Sequence, residues 1–222
     1  MIMLVTDRRR LSPGATESES AGHVVELVEA ASDAGIDLIQ VRERDLDTNA
    51  LVSLVRRCVA AVKHTQARVL VNERIDVALA AGAHGVNLRA DSVDADAARS
   101  LLPGGSLVGR SVHGVDQAVR ASERGGLDYV ILGTFFQTPS KDGSPRFTSL
   151  EELSALRGVS SIPVLAIGGM TVERAGAVIR AGAAGIAAIG LFIPPPGESV
   201  RGHLQKVAPA VRRAFDTCGV VS

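Results

Sequence analysis

Three short stretches put cationic, hydroxyl and glycine residues where an apolar run gives out. In "QVRERD" (40–45) the alternation of an extended chain places Gln40, Arg42 and Arg44 on one side and Glu43 on the other. Two guanidinium groups so placed can hold a diphosphate through forked hydrogen bonds, a plain solvated loop being the alternative. Glu43 is expected to turn toward the helices as an ion-pair partner. In "DYVILGTFFQTPSKDG" (128–143) an apolar run passes Gly133 and Thr134, then Phe135 and Phe136, into Thr138, Ser140 and Lys141. Two hydroxyls and an ammonium so close together can share one anion. The two Phe would wall a pocket or pack in the core. In "AIGGM" (166–170) Gly168 and Gly169 stand between a strand and a helix, and Gly190 follows the next strand. Free N–H groups at a helix start suit a phosphate, and glycine permits its close approach; tight turns alone would also use these glycines.

Other polar groups fall at comparable places. They are Thr6 and Asp7, Asn72 and Glu73, Asn87, Arg89 and Asp91, and Arg110, Ser111 and His113. His113 could serve as an acid or base, or be structural. The other four histidines carry no such signal. No zinc-ligand spacing and no Ser-His-Asp signature is present.

All these residues sit at the end of, or just past, one of eight short β-like runs: 2–6, 38–41, 69–71, 85–88, 107–109, 129–132, 164–167 and 185–188. Helical segments with three-and-four apolar spacing separate the runs. A phrase recurs at the helix-to-strand junctions: "DAGIDLI", "AAGAHGV", "ERGGLDYV" and "RAGAAGI". Its glycine can adopt the left-handed C-cap before the chain enters the next strand. Continuous apolar strands alternating with helices indicate a parallel sheet covered by helices. Eight such units fit an α/β fold, a single (β/α)8 TIM barrel with parallel strands over residues 1–222; a doubly wound open sheet is the competitor. Residues 8–20 read as a flexible loop. In a barrel the strand C-terminal ends form one rim, so the chemistry gathers there.

Composition narrows the ligand. Lys plus Arg and Asp plus Glu number 24 each, so no broad field attracts nucleic acid or an anionic membrane. Anion binding must be local, and the partners expected are small phosphates and diphosphates. With no Trp and one Tyr, the core is aliphatic. Cys58 and Cys218 read as a buried and a tail thiol. No run approaches a membrane span, and no leader pattern opens the chain, so a cytoplasmic protein is expected, with a homo-oligomer left open.

Taken together, "QVRERD", "VNERIDVALAAGAHGVNLRAD", "GRSVHG", "DYVILGTFFQTPSKDG", "PVLAIGGM" and "AGAAGIAAIGLF" resemble the thiamine phosphate synthase/TenI family, in order from Thr6 to Phe192. The resemblance implies a (β/α)8 barrel. It also implies the coupling of hydroxymethylpyrimidine diphosphate to thiazole phosphate with release of diphosphate, in thiamine biosynthesis. By that resemblance Gln40, Arg42 and Arg44 hold the pyrimidine diphosphate, with Asn72 and Ser111 nearby. Lys141 contacts the diphosphate, while Thr138, Ser140, Gly168 and Gly169 hold the thiazole phosphate. Asn87, Thr134 and Gly190 complete the substrate set. Magnesium is the implied cofactor, with Glu73 and Asp91 as its ligands.

This chain departs from the synthase pattern in several places. Glu73 replaces an Asp ligand, and its longer stem moves the oxygen for an ion that demands near-ideal geometry. At the second ligand position stands Ser92, beside Asp91. Arg44 replaces a Lys, Asn87 a His and Gly190 a phosphate-binding Ser. "NERIDVAL" and "LRADS" look more like the TenI branch, which includes a metal-free thiazole tautomerase. The His proposed as its acid–base group is replaced here by Thr134, a poor base. Two alternatives to the synthase therefore stand: the tautomerase, and a noncatalytic binder of thiazole or thiamine phosphates.

Overall fold

The computed structural model describes residues 1–137 and 147–217. Along the chain run β1 (Ile2–Val5), α1 (Arg8–Leu11), α2 (Glu17–Asp33), β2 (Leu38–Val41), α3 (Thr48–Ala61), β3 (Arg68–Asn72), α4 (Ile75–Ala81) and β4 (Gly85–Leu88). They are followed by α5 (Ala95–Leu101), β5 (Leu107–Val112), α6 (Val115–Arg124), β6 (Tyr129–Leu132), α7 (Leu150–Val159), β7 (Val164–Ile167), α8 (Val172–Arg180), β8 (Gly185–Ala188) and α9 (Val200–Asp216). The strands pair in sequence order, all parallel. β8 closes onto β1 with Ile2 opposite Ile186 and Leu4 opposite Ala188. That closure excludes the open sheet.

Burial on both faces explains why the strands read as unbroken apolar runs. Outward residues such as Ile39, Val41, Val69, Val71, Val86 and Leu88 pack against the helices. Inward residues form a separate core of Met3, Val5, Leu38, Leu70, Tyr129, Ile131, Leu165 and Ala187. Tyr129 is the one aromatic side chain in that cluster, and Gly109 makes room for it. A Cβ at Gly109 would stand 2.0 Å from the Tyr129 ring.

The recurring phrase before the strands turns out to stitch the opposite rim. Asp37 accepts the Ile2 N–H at 2.6 Å and pairs with Arg212 of α9 at 3.0 Å. Asp128 accepts the Val108 N–H at 2.7 Å and pairs with Arg99 of α5 at 2.6 Å. His84 Nδ1 accepts the Val69 N–H at 2.9 Å. In each case a polar residue just before one strand satisfies the first or second amide of a neighbouring strand.

Residues 8–20, expected as a flexible loop, are largely helical. Asp7 caps α1, its Oδ1 accepting from the Arg10 N–H at 3.2 Å. Thr16 and Glu19 form a capping box that starts α2. The Pro, Gly and Ser content of "RRRLSPGATESES" hid two capping signals, of which only the short turn between the helices is irregular.

The Tyr129 hydroxyl is buried with no hydrogen-bond partner among the described residues, and burial raises its pKa. An unpaired buried hydroxyl costs folding energy. Tyr129→Phe should therefore raise unfolding stability by about 1 kcal/mol in denaturant titration; a loss of that size would mean the hydroxyl is satisfied.

Candidate active site at the strand C-terminal ends

The site rests on a buried carboxylate. Thr6, at the end of β1, donates its hydroxyl to Glu43 Oε1 at 2.6 Å and accepts the Arg42 N–H at 3.0 Å. Glu43 also accepts the Arg8 N–H at 3.1 Å, with Arg8 Nε 3.9 Å away. Arg8 and Arg9 of α1 both pair with Asp45. One knot thus joins the exits of β1 and β2 to α1. Glu43 lies toward the helices, as its alternation with Gln40 and Arg42 required. Burial pushes its pKa up, against the pull of the Thr6 and Arg8 hydrogen bonds.

On the other side of the same strand, Gln40 and Arg42 share the inward parity of Leu38. Gln40 Nε2 donates to Asn72 Oδ1 at 3.0 Å. Arg42 is half-buried, and its guanidinium makes no hydrogen bond or ion pair with the described residues. Burial, then the charge of Arg44, lowers its pKa, while Asp7 and Glu43 oppose the shift. Arg44 is exposed at the rim. A cation held partly out of water without a dedicated carboxylate is suited to an incoming anion.

Asn87, in β4, is fully buried and donates its Nδ2 to Ser111 Oγ of β5 at 3.0 Å; its Oδ1 has no partner among the described residues. The β3 exit is held tightly. Glu73 sits in the left-handed region at φ 70°, a conformation costing on the order of 1 kcal/mol for a non-glycine residue. Its N–H donates to the Asn87 carbonyl at 2.9 Å, and its carboxylate accepts the Arg89 N–H at 2.8 Å. Asp91 pairs with the Arg89 guanidinium at 2.7 Å. Both carboxylates named as metal ligands thus converge on Arg89.

At the far side of the rim, Gly168 and Gly169 adopt φ 107° and 60° in the turn between β7 and α8. Side chains would not fit: a Cβ at Gly168 would lie 2.4 Å from Thr134 Cγ2, and one at Gly169 2.5 Å from the Gln137 carbonyl. Thr134 is buried beneath this turn. Arg174, which the sequence reading missed, donates to the Gly169 carbonyl at 2.6 Å and stacks over Phe136 at 4.8 Å. It ties the β6 exit to the glycine turn. Phe135 is core and Phe136 is partly buried. Gly190, after β8, faces the Arg10 guanidinium.

Some candidates fall elsewhere. Thr138, Ser140 and Lys141 lie outside the described residues. His113 is exposed, and its backbone N–H donates to Gln117 Oε1 at 2.9 Å. Arg110 has the outward parity and braces the loop after β4, donating to the Arg89 carbonyl at 3.1 Å. It lines a flank groove of about 660 Å³ between α5 and α6, with Asp94 and Arg124. That groove includes none of the mouth residues above, so its size does not mark the chemistry.

Residues 3–192 match the family described as thiamine monophosphate synthase. The chain belongs to that family. It is 35% identical over 198 residues to the thiamine-phosphate synthase of Roseiflexus castenholzii, covering 88% of this chain and 82% of that one. With the thiamine-phosphate synthase of Chlorobium limicola it is 40% identical over 163 residues, 73% of this chain and 77% of the relative. The solved thiamine phosphate pyrophosphorylase of Pyrococcus furiosus superposes with a TM-score of 0.80 at 28% identity, covering 98% of this chain and 96% of that one. No helix among the described residues is long and apolar enough to cross a membrane.

The family's magnesium can be tested against the donors present. Among the described residues no group of three or more His, Cys, Asp or Glu side chains is assembled for a metal. Magnesium usually takes only one or two carboxylates and completes its shell with water and substrate phosphate. Glu73 and Asp91, both anchored to Arg89, fit that requirement in type and number.

The Glu43 knot makes a prediction whose sign follows from its raised pKa. A carboxyl that holds its proton more tightly when folded contributes most below the ordinary carboxylate range, and loses that contribution as pH climbs through the raised value. Glutamine at this position cannot titrate. The stability advantage of the wild type over Glu43→Gln should therefore shrink as pH rises above the ordinary carboxylate range. Glu43→Ala, which strands the Thr6 hydroxyl and the Arg8 amide, should cost about 3 kcal/mol in denaturant titration. An advantage that widened with pH would mean the ionised carboxylate is the favoured buried form.

Proposed function

We propose that the protein is a thiamine-phosphate synthase, a transferase that joins hydroxymethylpyrimidine diphosphate to thiazole phosphate and releases diphosphate. The observation that carries this reading is Arg42: a half-buried guanidinium of inward parity, with no ion-pair partner among the described residues. The relatives named thiamine-phosphate synthase support it. The two substrates divide the rim between them. Arg42 and Arg44 take the diphosphate on the β2 side, with Lys141 as a further contact to it, and the Gly168–Gly169 turn takes the thiazole phosphate on the β7 side.

In the reaction the bond between the pyrimidine methylene carbon and the diphosphate oxygen breaks, and its electron pair leaves on the diphosphate. The resulting carbocation is captured by the lone pair of the thiazole nitrogen, forming the new C–N bond. No side-chain nucleophile is required. Arg42, with Arg44 and Lys141, stabilises the charge growing on the leaving group, where an aligned donor lowers the barrier most. Gln40 and Asn72, locked to each other, and Asn87, locked to Ser111, give the pyrimidine ring a fixed polar wall. Holding both substrates in line supplies the rest. Glu73 and Asp91 would hold magnesium, which would neutralise further charge on the diphosphate.

The tautomerase alternative asks for an acid–base side chain at the β6 exit. Thr134 stands there, buried against the glycine turn, while His113 is exposed on the β5 side. These positions favour the synthase.

The test is diphosphate release from hydroxymethylpyrimidine diphosphate in the presence of thiazole phosphate, with and without magnesium. Release should require the metal and both substrates. Arg42→Ala should lower kcat by about a hundredfold, the size of effect seen when one donor to a developing anion is removed. Metal-independent proton exchange at the thiazole carbon, with no diphosphate released, would sink the proposal.

A further inference from the structure

Three successive arginines open α1, and the structure separates their fates. Arg8 is buried against Glu43 and Asp45, and Arg9 pairs with Asp45 at 2.7 Å. Arg10 is half-buried, and its guanidinium makes no hydrogen bond or ion pair with the described residues. Its backbone is fixed instead, because the Arg10 N–H donates to Asp7 Oδ1 at 3.2 Å.

The Arg10 side chain crosses the barrel seam. Closure sets Leu4 of β1 against Ala188 of β8, so a residue just past the β1 exit overlies the β8 exit. There Gly190 is exposed and bare, and a Cβ on it would lie 3.0 Å from Arg10 Nη2. A side chain there would make the guanidinium give way by a few tenths of an ångström, so the bare glycine eases its close approach to the end of β8. The neighbouring exit is the Gly168–Gly169 turn, since Ile167 of β7 pairs with Ala187 of β8.

We propose that Arg10 binds the phosphate monoester of the thiazole substrate, acting as the residue that makes this side of the mouth prefer a phosphorylated thiazole to the free alcohol. The assignment deepens the synthase reading and rests on it for the identity of the ligand. A planar fork of donors matches two phosphate oxygens. A guanidinium already drawn partly out of water, with no carboxylate partner among the described residues, gives up little to take them. Its removal therefore deletes charge-assisted hydrogen bonds to the phosphate, and to nothing else described in the fold.

The test is calorimetric titration of the intact wild type, Arg10→Ala and Arg10→Lys with thiazole phosphate and, separately, with the unphosphorylated thiazole alcohol. Arg10→Ala should weaken thiazole phosphate by roughly 10- to 100-fold and leave the alcohol within about twofold. Arg10→Lys should recover part of the loss, keeping the charge without the fork. Melting curves should match the wild type, since the side chain bonds to nothing described. Equal affinity of wild type and Arg10→Ala for thiazole phosphate would overturn the proposal, as would equal losses for phosphate and alcohol. Arg10-dependent phosphate binding by a wild type that never releases diphosphate would leave Arg10 standing and defeat the synthase reading. A wild type that turns over normally, with no Arg10 dependence, would do the reverse. No thiazole phosphate binding by the wild type would end both.

Discussion

The structure depends on the way a single buried carboxylate, Glu43, is satisfied. Leaving a carboxylate out of water unpaired would cost several kcal/mol. Here the Thr6 hydroxyl and the Arg8 amide meet it, and the same Thr6 oxygen receives the Arg42 amide. Three segments of chain are thereby fixed at once: the end of β1, the start of α1 and the turn after β2. Two arginines hang from this knot, Arg42 on the β2 side and Arg10 on the β8 side. Their backbones are fixed by hydrogen bonds, and among the described residues their guanidinium groups have no carboxylate of their own. Pre-placed charge of this kind needs no rearrangement when an anion arrives, which is where electrostatic stabilisation is most effective.

The remaining architecture sets an apolar core inside the barrel. The interior is filled by Met3, Leu38, Leu70, Ile131, Leu165 and the Tyr129 ring, and, the Tyr129 hydroxyl apart, the polar groups described above stand toward the strand exits. The two amide pairs, Gln40–Asn72 and Asn87–Ser111, stand at this boundary between apolar core and mouth. The opposite rim carries the Asp37 and Asp128 clamps, whose arginines are engaged with carboxylates. One end of the barrel thus closes its charges against each other for stability. The other pairs Arg8, Arg9 and Arg89 but leaves Arg42 and Arg10 without a side-chain partner among the described residues.

The barrel was legible because its two periods are local. Apolar runs of strand length and three-and-four helical spacing are set by neighbours a few residues apart, and the repeated glycine caps marked the junctions. The two faces of "QVRERD" were legible for the same reason, since alternation alone turns Glu43 away from Arg42. What escaped was whatever depends on closure. Arg10 reads as one of three identical residues in a basic run. Only the meeting of β1 with β8 brings it over Gly190. Arg174 was equally invisible, because its partners, Phe136 and the Gly169 carbonyl, are joined to it only when β6, β7 and α8 pack. The capping signals at Asp7 and Thr16 were readable but were masked by a composition that looked like loop. The relation of Glu73 to Asp91 could not be read from spacing either, since it runs through the Arg89 backbone and a left-handed residue that is not glycine.

The central claim is that two anion subsites share this one mouth, with diphosphate on the β2 side and the thiazole phosphate on the β7–β8 side. A crystal structure with both products, thiamine phosphate and diphosphate, tests it most directly. Density for diphosphate against Arg42, with the thiamine phosphate anion over Gly168, Gly169 and Arg10, is the result this account predicts. Either anion on another face of the molecule, or the two in exchanged positions, would contradict it.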